Sequence, residues 1–168
     1  MYDETSPNQP SGENLRGLGL GSSLILWAMR CGCYGKELEC CSLCAFDRRF
    51  GRAEGREIYN DLKRLGASLT DAAGDADKWS TPKASRITPV ETILLHAFAA
   101  AQGGDIHGAQ LHFARAIGQD AAEQDLSDLR MIAWRFLSKG ILIRAPIRSG
   151  DIAQYPEQES STLIEARS

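Results

Sequence analysis

Apolar side chains recur at Val90, Leu94, Ala97, Phe98 and Ala101, and again at Ile106, Ala109, Phe113, Ala116 and Ile117. Both sets keep to one face of a helix of about 3.6 residues per turn. Thr88 precedes the first set as an N-cap, Pro89 stands at the first helical position, and Glu91 completes a capping box. Gln102-Gly103-Gly104 ends that helix with residues that tolerate a left-handed backbone, and Asp105 caps the next. So short a turn predicts an antiparallel helical hairpin over residues 87–117.

The same periodicity organises the rest. Ser22 or Ser23 caps a helix through Leu24, Ile25, Leu26, Trp27, Ala28 and Met29, apolar on all sides and therefore central to the core. It should end near Arg30, because Gly32 and Gly35 interrupt the residues beyond. A cysteine-bearing loop comes next. From about Phe50 a long helix carries Ile58, Leu62, Leu65, Leu69 and Ala72 at alternating steps of four and three, a heptad-type seam. Gly55 and Gly66 weaken it and Gly74 ends it. Residues 75–86 form a surface connection that Trp79 pins by packing.

The last helix runs from about Leu126 to Lys139 and buries Leu126, Leu129, Ala133, Phe136 and Leu137. Gly140 fits the left-handed position of a Schellman motif that folds Ile141 back onto Phe136. Residues 141–143 form a short strand or an extended plug, ended by Pro146. The pattern predicts an all-α, single-domain bundle of four or five helices, spanning residues 22–147. Residues 1–21 and 148–168 are polar and expected to be disordered.

At 168 residues the chain can bury a core without covalent staples. A net charge of −3 gives no general attraction to nucleic acid or anionic lipid. No cleaved signal is expected, and the apolar run at residues 24–29 is too short to span a bilayer. The expectation is a cytoplasmic protein without a membrane, with a non-cleaved bacterial secretion signal in the polar leader as the alternative.

Gly104-Asp105, Ala109, Phe113 and Ala116 fall at the spacing of a known repeat, and Ala97 stands where that repeat has its small residue in the first helix. Residues 88–117 thus resemble one tetratricopeptide repeat unit. His96 replaces its usual apolar residue, Ala100 its aromatic and Ala121 its closing proline, and no second copy follows. The resemblance implies binding of another protein or peptide rather than catalysis.

Candidate chemistry is confined to five cysteines within residues 31–44. Cys31, Cys33, Cys41 and Cys44, with Cys40 as alternate, supply the thiolates of a tetrahedral zinc site that would stiffen the loop. An iron–sulfur cluster lacks either standard spacing. A redox pair at Cys41 and Cys44 lacks the βαβ context. Free thiols packed as small hydrophobes are the remaining alternative.

His107 and His112 miss the spacing of a helical metal pair, while His96 and His112 can face each other across the hairpin. Asp120, Glu123, Asp125 and Asp128 suit a helix N-terminus. Arg48, Arg49, Arg52 and Arg56 make a basic patch, but Asp47, Glu54 and Glu57 interleave and no aromatic run offers stacking. No catalytic grouping stands out. The expected function is a non-enzymatic protein–protein interaction or adaptor role. The alternative is a metal- or thiol-dependent regulator built on the cysteines, with nucleic acid as a minor variant.

Overall fold

A computed structural model describes residues 15–34, 39–73, 79–118 and 122–146. Among these residues it has six α-helices and no strand: α1 (Leu20–Tyr34), α2 (Glu39–Phe50), α3 (Arg52–Ala73), α4 (Pro89–Gln102), α5 (Ile106–Ile117) and α6 (Glu123–Ser138). The described residues are all-α, as their periodicity predicts, but with six helices instead of four or five, because α2 forms where a loop was expected. The expectations for residues 1–14, Gly74, Asp120, Ala121 and 148–168 lie outside the described residues.

α1 and α2 both pack on α3, α4 pairs with α5, and α6 lies against α4 and α3. The buried side chains form one cluster, in which Leu94, Phe113 and Phe136 are inaccessible to solvent. Phe136 of α6 meets Phe50 at 4.9 Å and Phe46 at 6.4 Å between ring centres, so aromatic contact ties α6 to α2. The predicted seam at Ile58, Leu62, Leu65 and Leu69 is buried.

The hairpin forms as expected. Thr88 Oγ1 accepts from the Glu91 N–H at 3.2 Å, and the Glu91 carboxylate accepts from the Thr88 N–H at 2.9 Å. Asp105 caps α5 by accepting from the Gly108 N–H at 2.8 Å. Of the two glycines in the turn only Gly104 is left-handed, at φ +83°, whereas Gly103 stays right-handed at −77°. One reversal suffices for so short a turn.

α1 runs on to Tyr34 rather than stopping near Arg30. Its glycine is a contact surface: a Cβ on Gly32 would lie 2.3 Å from the Lys63 carbonyl oxygen. Gly66 of α3 reciprocates, with a Cβ that would lie 2.5 Å from the Met29 carbonyl oxygen. Close backbone approach outweighs a helical glycine's cost of about 1 kcal/mol. Within the expected cysteine loop, residues 31–34 are the end of α1 and residues 39–44 the first half of α2, while residues 35–38, Gly35 among them, lie outside the described residues. The break before α3 falls at Gly51, with φ +86°.

Secondary structure is also present before residue 22. Leu15–Gly17 is a 3-10 turn whose Leu15 N–H donates to the Ser85 carbonyl at 2.9 Å, and α1 starts at Leu20. Ser22 therefore lies inside α1 instead of capping it. Its hydroxyl donates to the Arg144 carbonyl at 2.6 Å and accepts from the Arg144 N–H at 2.9 Å. α6 begins at Glu123, earlier than expected, and ends in the predicted Schellman motif. There Ile141 N–H donates to the Phe136 carbonyl at 2.9 Å, Gly140 N–H to Leu137 at 2.8 Å, and Gly140 has φ +68°.

Residues 141–146 then form the extended plug rather than a strand, with Ile143 buried. Leu137 is exposed, contrary to expectation, and so is Ile106. Trp79 is buried and receives the Tyr34 hydroxyl on its carbonyl at 2.7 Å, which fastens the connection before α4. No helix among the described residues is long and apolar enough to cross a membrane.

Candidate functional site

The cysteines divide between environments set by helix packing. Cys31 is buried on α1, with Sγ 3.8 Å from Ser42 Oγ of α2, which in turn donates to the Tyr59 hydroxyl of α3 at 3.3 Å. Cys33 is half-buried; its Sγ donates to the Gly66 carbonyl at 3.3 Å and accepts from Thr70 Oγ1 at 3.0 Å. Burial, above all, pushes the Cys33 thiol up to about 11, against a partly opposing hydrogen bond from Thr70. Cys44 is exposed on α2. The side chains of Cys40 and Cys41 lie outside the described residues.

Both hydrogen-bonding roles of Cys33 are filled by α3. Cys31 and Cys33 are thus joined to their own bundle by side-chain and backbone contacts. Among the described residues no three His, Cys, Asp or Glu side chains gather closely enough to hold a metal ion. His96 and His112 do face each other across the hairpin, with ring centres 5.4 Å apart, as their positions allow.

The acidic residues at the start of α6 serve structure: Glu123 and Asp125 occupy its first turn, and Asp128 accepts from Arg64 of α3 at 2.9 Å. Arg48, Arg49, Arg52 and Arg56 are exposed, while the interleaved Glu54 pairs with Lys139 at 2.8 Å.

Two features escape a reading of the sequence. One is a buried ion pair. Arg30, at the end of the apolar run of α1, donates from Nε and Nη2 to both oxygens of Glu91, at 2.7 and 2.8 Å. Nη1 and Nη2 also donate to the carbonyls of Ala84 and Arg86 respectively, each at 2.8 Å. Glu91 also accepts from the Ser80 N–H at 3.2 Å. Both charges are desolvated and matched by each other and by backbone groups, so the pair fastens α1 to the start of α4.

The other feature is an open groove of about 540 Å³ lined by Ala101, Ile106, Ser127, Arg130, Met131 and Trp134. α6 buries Leu129, Ile132, Ala133 and Phe136 on its inner side and still presents Met131 and Trp134 to solvent, Trp134 at 63 % exposure. A smaller hollow of about 220 Å³ adjoins it between α5 and α6, sharing Ile106, Ser127 and Arg130 and reaching Gln110 and Glu123. The sequence signal was available in Met131 and Trp134, one turn apart on the side of α6 opposite the predicted buried face.

The chain matches no family model, no curated protein and no solved structure.

Proposed function

We propose that this protein works without catalysis, by holding another protein chain in the groove beside α6. The observation that carries the reading is Trp134, exposed next to Met131 and Ile106 over an open hollow whose walls are helices. Tryptophan, methionine and arginine are enriched where proteins bind one another, and an exposed indole in a hollow is the usual form of an energetic anchor. Arg130 supplies a polar rim.

The likeness of α4 and α5 to a tetratricopeptide unit supports the same reading. Ala97 and Ala109 are buried between these closely packed helices, as small residues in that repeat would be.

The test is affinity capture from the native host with the wild-type chain and with Trp134→Ser. A chain retained by the wild type and lost with the variant supports the proposal. Identical sets of retained chains would overturn it.

A further inference from the structure

We infer that the groove beside α6 is filled by a second copy of this chain, packed antiparallel about a two-fold axis. This rests on the reading of the groove as a protein-binding surface and names its occupant.

α6 carries two seams. The inner one, Leu129, Ile132, Ala133 and Phe136, is spent on the core. The outer one comprises Ser127, Met131, Trp134 and Ser138, at steps of four, three and four, the spacing by which helices pack side by side. All four residues are exposed.

That outer spacing reads the same in both directions. A two-fold axis lying between the two α6 helices, level with the Ile132–Ala133 peptide, sets Met131 of one copy against Trp134 of the other, and Ser127 against Ser138. Each indole then approaches the hollow formed by Ala101, Ile106 and Met131 of its neighbour. A closed, isologous pair needs such a self-complementary patch, whereas an unrelated partner does not.

Charge permits the arrangement. The seam contains no carboxylate. The same symmetry places Arg130 opposite Arg135, but Arg135 is already held in its own copy by Glu57 at 3.3 Å and Asp61 at 3.9 Å. Positive charge is therefore partly balanced where the two helices meet.

The area is sufficient for a weak dimer. Trp134, Met131, Ile106 and Leu137 stand 63, 49, 42 and 45 % exposed. Scaled by the area that large side chains can bury, they offer roughly 400 Å² of apolar surface per copy. Two copies thus bring roughly 800 Å² of apolar surface together, below the about 1,200 Å² at which stable specific interfaces begin and in the range of weak, transient ones. Association should therefore depend on concentration.

Sedimentation of the purified full chain under reducing conditions, from low micromolar to several hundred micromolar, tests this. The wild type should rise from the monomer mass toward twice that mass. Trp134→Ser and Met131→Glu should each weaken dimerisation at least about tenfold. Both sites are exposed, so far-ultraviolet circular dichroism should be unchanged.

A wild type that stays monomeric throughout, or a dimer equally strong in both variants, overturns the inference. If the monomeric wild type still captures other chains through Trp134, the second copy is wrong and the groove's role stands. If dimerisation depends on Trp134 while capture of other chains does not, the groove serves self-association alone.

Discussion

Glu91 combines two roles that are usually separate. Its carboxylate closes the capping box on Thr88 and also receives the Arg30 guanidinium from a helix far away in sequence. Losing the cap alone, in Thr88→Ala, should cost about 1 kcal/mol. Glu91→Ala strands a buried guanidinium and should cost roughly 3–5 kcal/mol. Urea unfolding measures both, and equal losses would mean that the ion pair adds nothing beyond the cap. Cys33 gives a second test at this scale. Its thiol rises from 9.0 in the unfolded chain to about 11 when folded, so the folded state holds the proton more tightly. The resulting stability is present below pH 9 and is lost as pH climbs from there through about 11. Unfolding curves across that window should fall more steeply for the wild type than for Cys33→Ala. Parallel curves would refute the assignment.

Among the elements, the hairpin was readable and the end of α1 was not, for a single physical reason. Thr88, Pro89, Glu91, Gly104 and Asp105 act on backbone within a few residues of themselves, so their effects are visible in the sequence. Gly32 and Gly66 act on each other's helices. Alone each looks like a weak point, and only the crossing of α1 and α3 shows what the missing side chains permit. In an exposed helix Gly→Ala should stabilise by about 1 kcal/mol. At Gly32 the new Cβ meets backbone, and overpacking should turn that gain into a net loss of about 1–3 kcal/mol. Thermal unfolding of Gly32→Ala decides the sign; a higher melting temperature would show that the two helices have room to part.

At the scale of the whole molecule, residues 141–146 lock the two ends of the described fold together. The Gln102 side-chain amide donates to the Ile141 carbonyl at 3.0 Å and accepts from the Ile143 N–H at 2.8 Å, while Ser22 grips Arg144 from α1. Gly21 lets α1 approach so closely that a Cβ there would lie 2.5 Å from the Leu142 carbonyl oxygen. Gln102→Leu keeps the bulk but leaves two backbone groups unmatched, at a cost of about 1–3 kcal/mol. The Ile143 amide should then exchange with solvent much faster than in the wild type. Unchanged protection there would mean that Ser22 and the buried Ile143 side chain hold the plug unaided.

Sequence alone determined five of the six described helices, though not α2, the end of α1 or the start of α6, together with the seam of α3, the capped hairpin and the Schellman ending of α6, because periodicity and capping are short-range effects. It also drew the eye to the cysteines, whose rarity elsewhere in the chain is a property of composition. Tertiary structure decided what composition could not. It buried Cys31 and half-buried Cys33 against α3, matched Arg30 with Glu91 across 61 positions, and left Trp134 outside. Whether a side chain ends inside or outside depends on which faces of other helices remain to cover it. That is settled only when the whole chain has packed.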